Sequence, residues 1–173
     1  MPKSEIINTF ETSTDQVMVA TWGGGVAIYD LQWNFIRNVK FPEIPHSTVL
    51  GAAGNVYERG LMNMAWSFAE FDDGTLWIGA QQGFLHIFDH VQQKFITQSP
   101  PEVNHSTIKR MVKDSEGNVY MGLHNGRIVF WSNKERKFYP FEDAKNKYNS
   151  FLAPVDHLIL DDKGRCWAVS EYC

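Results

Sequence analysis

At 173 residues, 43% of them hydrophobic and 21% charged, the chain has the makeup of a folded globular protein with one sizeable core. Its net charge of -4 offers no basic surplus for nucleic acid, and no run approaches the ~18 apolar residues of a membrane span, so contact with neither is expected. The opening MPKSEIINTF lacks the charged and then apolar run of a secretory signal, so no signal peptide is expected, and neither a disulfide nor a metal is expected of Cys166 and Cys173.

In chain order, the first predicted elements are IINTFET, the turn STD, QVMVAT, the turn WGG, GVAIYD and NFIRNV. An insertion, residues 42–63, follows. The next block reads AWSFAEF, DDG, TLWIGA, QQG, FLHIFD and QKFITQ, and a third reads IKRMVKD, SEG, NVYMGL, HNG, RIVFWS and RKFYPF. A fourth begins VDHLILD, DKG, RCWAVS. Each run is short and rich in Val, Ile, Phe, Tyr and Trp, and most of the turns between runs end in Gly, which supplies the positive φ that tight hairpins demand. No segment carries a sustained three-four apolar stripe, so helix is limited to at most a turn within residues 144–153.

The blocks are copies of one unit. GTLWIGAQQG at residues 74–83 and GNVYMGLHNG at residues 117–126 keep three glycines and one aromatic in register, and the aromatic slot recurs at Met18, Trp77, Tyr120 and Trp167. A unit of four strands repeating every forty-odd residues describes the blade of a β-propeller. The glycines then close hairpins, Gly74, Gly117 and Gly164 after the first strand and Gly24, Gly83 and Gly126 after the second. The slot residue packs between neighbouring blades.

GTLWIGAQQGFLHIFD, DSEGNVYMGLHNGRIVFW, DDKGRCWAV and VATWGGGVAIYD together resemble the two-component regulator propeller repeat, the unit of the extracytoplasmic sensor region of hybrid two-component system histidine kinases. The copies are degenerate: the turn Asp stands at Asp114 and Asp161 but is Phe71 in the second block, and Tyr120 and Met18 replace the slot Trp. The resemblance implies an all-β fold of propeller blades, about three and a half here, at residues 4–41, 64–98, 107–141 and 155–173. That is an incomplete ring, one partial domain over residues 1–173 and a fragment of a propeller expected to have seven blades. Its terminal faces are expected to expose apolar residues for the remaining blades of a parent sensor or for a second copy.

The same resemblance implies a sensing module that recognises a glycan-derived or other small ligand outside the cytoplasmic membrane, in the periplasm of a bacterium. No cofactor and no catalysis are implied. An interaction scaffold and, further off, a propeller hydrolase or lyase are the alternatives. Ligands of propellers meet one face of the disc, which makes Trp22, His46, Tyr57, Arg59 and His124 the candidate contacts. Trp22 is a candidate to stack on a sugar ring, against the plainer reading that it packs its turn; His124 sits beside a favoured Asn-Gly turn; His46, Tyr57 and Arg59 belong to the insertion. Glu70, Lys109, Lys113, Asp156 and His157 are the polar residues of the inner strands and form no catalytic constellation in the sequence. The DDG and DDKG turns lack the alternating oxygen ligands of a calcium loop.

Overall fold

A computed structural model describes residues 5–42, 63–89, 94–140 and 153–170. They form fourteen strands in antiparallel sheets. The first sheet holds β1 (Ile6–Glu11), β2 (Gln16–Thr21), β3 (Gly25–Asp30) and β4 (Phe35–Val39), in that order. The second holds β5 (Ala65–Glu70), β6 (Leu76–Ala80), β7 (Leu85–Asp89) and β8 (Lys94–Gln98), and the third β9 (Ile108–Lys113), β10 (Val119–Leu123), β11 (Ile128–Ser132) and β12 (Lys137–Pro140). The fourth pairs β13 (His157–Leu160) with β14 (Cys166–Val169). Every apolar run of the repeat becomes a strand, and among the described residues 3-10 turns lie at Gln81–Gly83 and Pro101–Val103. Among the described residues no helix is long and apolar enough to cross a membrane.

The sheets are joined through their first strands: β1 meets β5, β5 meets β9, and β9 meets β13. Faces then close on each other in pairs. Met18, Val26 and Ile28 of the first sheet pack with Phe68, Leu76 and Ile78 of the second, and Ala69, Trp77 and Leu85 of the second pack with Val119, Met121 and Trp131 of the third. Each fully buried Leu, Ile or Phe side chain contributes about 1.5–3 kcal/mol by leaving water. The slot residues follow this logic. Trp77 is buried at 5% exposure between the second and third sheets, whereas Trp167 on the last sheet is 51% exposed.

The turns are held by the motif side chains. Asp114 Oδ1 accepts from the backbone N–H groups of Glu116 and Asn118 at 2.9 and 2.8 Å, and Asp161 Oδ1 accepts in the same way from Lys163 and Arg165 at 3.0 and 2.9 Å. Asp161 Oδ2 also accepts from Trp167 Nε1, and this bond with those from Arg165 and Lys163 holds its carboxyl well below the usual carboxylate range. These carboxylates staple a turn; they do not gather around a cation, and among the described residues no group of acidic, His or Cys side chains could hold a metal ion. In the second sheet, Asp73 takes over by accepting from the Thr75 N–H at 2.8 Å. In the first, where no turn glycine is available, Asp15 adopts φ 58°.

Two expectations are modified. In the β2–β3 turn the positive φ falls on Gly23 and Gly25, both at 80°, and not on Gly24. Cβ of any residue at position 25 would meet the Val39 carbonyl oxygen at 2.1 Å, so β4 fixes the choice of Gly there. The terminal faces are also unequal. On the last sheet Ile159, Trp167 and Val169 are exposed, as expected; on the outer face of the first sheet Val17, Val19 and Ala27 are buried, while Phe35 and Trp33, which pack on Tyr29 of that face, are exposed.

Candidate functional site

One position of the repeat is bulged. Pairing between β1 and β2 skips from Ile6 to Asn8, between β5 and β6 from Ala65 to Ser67, and between β9 and β10 from Ile108 to Arg110. The unpaired residues, Ile7, Trp66 and Lys109, are equivalent in the three copies, and the fourth copy has Asp156 there. A bulge turns its side chain away from the alternation of the strand, and such irregularities are used to aim residues at a site. Here they line up across successive sheets. Lys109 Nζ lies 2.6 Å from Asp156 Oδ1 on one side and 5.6 Å from the centre of the Trp66 ring on the other. The pair is largely enclosed, with side chains 13% and 22% exposed.

The turns between second and third strands stand over this row. Trp22, Gln81 and His124 are again equivalent positions. Trp22, 48% exposed, meets Trp66 edge-on with ring centroids 5.8 Å apart. Gln81 Oε1 accepts from Trp66 Nε1 and from Thr107 Oγ1, each at 3.0 Å, which fixes both the indole and the amide. His124 is exposed, its backbone N–H donating to the Thr107 carbonyl at 2.9 Å. Beside Lys109 the guanidinium of Arg110 donates to the Lys109 carbonyl at 2.7 Å; burial lowers its pKa and the Asp156 carboxylate opposes that. The outcome is an edge of two indoles, an amide, a hydroxyl and an ion pair, contributed by all four sheets.

Of the residues expected from the sequence, Trp22 therefore belongs to this edge and His124 stands at the corresponding turn one sheet further on. His46, Tyr57 and Arg59 lie outside the described residues. Lys109 and Asp156 come together, while Glu70 and Lys113 do not join them: Glu70 accepts from the Ser13 N–H and hydroxyl at 2.7 and 3.0 Å, and Lys113 pairs with Asp72 at 2.7 Å, each tying one sheet to its neighbour. His157 is exposed. Trp66 was not foreseen, and Gln81 only as part of the turn Ala80 to Gln82 on the ligand-facing side. The signal that could have found Trp66 is the variability of its slot, which reads Ile, Trp, Lys and Asp through the four copies while its flanks keep one pattern.

Burial pushes the Cys166 thiol up to about 11, so it is a poor nucleophile at neutral pH, and Cys173 lies outside the described residues.

Comparison with solved structures places this geometry. The chain superposes on the extracellular domain of BT4673 from B. thetaiotaomicron, described both as a one-component and as a hybrid two-component system, with a TM-score of 0.69 and 18% identity. The fold is that of a β-propeller. The match covers 99% of this chain and 21% of that one, so the chain spans about a fifth of its relative's length. The extracellular domain of BT3049, a hybrid two-component system of the same organism, gives 0.67 and 19% identity over 95% of this chain and 20% of that one. A catalytically inactive virginiamycin B lyase from Staphylococcus aureus with quinupristin gives 0.68 and 9% identity, covering 98% and 51%. Residues 110–131 match the model of the strictosidine synthase-like N-terminal family. No curated protein sequence matches the chain. Within this propeller the four sheets are blades, and the row from Trp22 to Asp156 follows their inner strands and the turns beside them.

Proposed function

We propose that this chain is the ligand-recognising part of an extracytoplasmic sensor propeller and performs no catalysis of its own. The observation that carries this reading is the edge formed by Trp22, Trp66, Gln81, Lys109 and Asp156, in which one equivalent position of the repeat has been given an indole, an ammonium and a carboxylate in successive blades. Indole faces accept the apolar face of a sugar ring, and the amide and ion pair offer donors and acceptors to hydroxyl groups, so a glycan-derived oligosaccharide is the ligand class that suits it best. The blades that resemble it are extracellular sensor domains, which supports the sensing role and a periplasmic location. Exposed Ile159, Trp167 and Val169 on the last blade suit the remaining blades of a parent sensor or a second copy of the chain.

A thermal-shift screen against neutral and acidic oligosaccharides tests this reading, because only a ligand that binds the folded state raises the melting temperature. A rise with at least one sugar, and unchanged sugar afterwards by mass, is expected. An empty screen points to a protein-interaction scaffold, and consumed sugar to a propeller hydrolase or lyase; either outcome overturns the proposal.

A further inference from the structure

The two boundaries between complete blades are built from equivalent positions and filled differently. Between the second and third blades, Phe71 and Trp77 pack with tilted rings, centroids 4.9 Å apart, and Trp77 meets Trp131 at 5.2 Å and Phe138 at 6.0 Å. Between the first and second, the positions of Phe71 and Trp77 are held by Thr12 and Met18, while Phe88 and Phe95 stand where Trp131 and Phe138 stand, 5.0 Å apart. Two rings are thus missing from one side of an otherwise similar boundary. In their place is a cavity of about 360 Å³ lined by Thr12, Met18, Phe88 and Phe95 together with Ile28 and Ile78.

We propose that this cavity is a binding site for a small aromatic molecule of one or two fused rings, seated where an indole and a phenyl ring sit at the next boundary. Its volume falls in the range of small-molecule sites, roughly 300–1,000 Å³, and apolar cavities less than half this size, about 150 Å³, take up benzene. Met18, Ile28 and Ile78 are 8%, 3% and 1% exposed, so the floor is dry and apolar. Thr14, Gln16, Arg37 and Glu70 supply the rest of its polar lining; Thr14 and Arg37 are exposed and Glu70 already accepts from Ser13, so the buried apolar part selects by shape and dispersion. The site is separate from the Trp22–Asp156 row, and neither proposal depends on the other.

Indole at millimolar concentration, added to the whole chain and to Met18→Trp, tests it. Expected is a rise of about 2–4 °C in the melting temperature of the unsubstituted chain. Met18→Trp should melt higher without ligand and show no further rise. In a methyl-labelled sample the resonances of Ile28 and Ile78 should move with saturation. No rise in the unsubstituted chain, an equal rise in the variant, or perturbation confined to the neighbourhood of Trp22 and Trp66 overturns the proposal. If Met18→Trp does not fold, Thr12→Phe replaces it; if neither folds, the methyl titration alone decides, with saturating shifts at Ile28 and Ile78 in favour and static ones against.

Discussion

The indole of Trp77 meets the indole of Trp131 across the boundary between the second and third blades, with centroids 5.2 Å apart and planes inclined at 62°. Both are buried, and Trp131 is also covered by Phe138 at 4.6 Å. Trp77→Ala removes one of the two indoles of that boundary and leaves a hollow on a stiff sheet surface. We expect a loss of about 3–5 kcal/mol in stability, measured by denaturant unfolding. Met18→Ala at the equivalent slot should cost less, since its surroundings are already loosely filled.

Close packing of the inner strands depends on Gly79. A Cβ there would lie 2.4 Å from Ser67 Oγ and 2.7 Å from Ile108 Cγ2, with the Ile108 carbonyl oxygen at 2.9 Å. Gly79→Ala therefore has to push β9 away from β6. A drop of roughly 1–3 kcal/mol is expected in the same unfolding measurement.

His86 sets an acid limit on stability. It is closed to solvent, stacks on Phe41 with centroids 3.9 Å apart, shares a hydrogen bond with Thr97 Oγ1 at 2.9 Å, and burial lowers its pKa to about 3. Because the folded pKa lies below the unfolded value of about 6.5, only the unfolded chain gains a proton between those limits, and stability falls as pH drops from about 6.5 to about 3. At pH 5 this single group should cost the native chain about 2 kcal/mol relative to pH 7.5. In His86→Leu that share of the pH dependence should vanish, as read from unfolding midpoints at the two pH values.

Lys109 and Asp156 join the third and fourth blades while remaining mostly enclosed. A double-mutant cycle with Lys109→Met and Asp156→Asn should give a coupling of about 1–2 kcal/mol, above that of an ordinary surface pair. Lys113→Met and Asp72→Asn, where the carboxylate is 92% exposed, should give near zero.

The strands were legible because they are local: short β-branched and aromatic runs between Gly-marked turns leave little alternative, and their recurrence set the blade. What escaped depends on partners. The shift of positive φ from Gly24 to Gly23 and Gly25 follows from the approach of Val39, a strand away. Val17, Val19 and Ala27 are buried on a face that the strand count alone would leave open. Trp66 reads as an ordinary strand residue until its pairing with β6 skips it; the sequence offered Trp22 as a ligand contact and Lys109 and Asp156 only as inner-strand polar residues without a constellation, and their proximity emerges only once the bulges are placed.

Calorimetric titration of the oligosaccharide panel into the chain and into Trp66→Ala tests ligand recognition most directly. Saturable binding by at least one sugar, weakened about tenfold or more in the variant, is the predicted result, since base-plane or sugar stacking on an indole contributes on the order of 1–3 kcal/mol. No heat from any sugar, or equal affinity for both proteins, would contradict it.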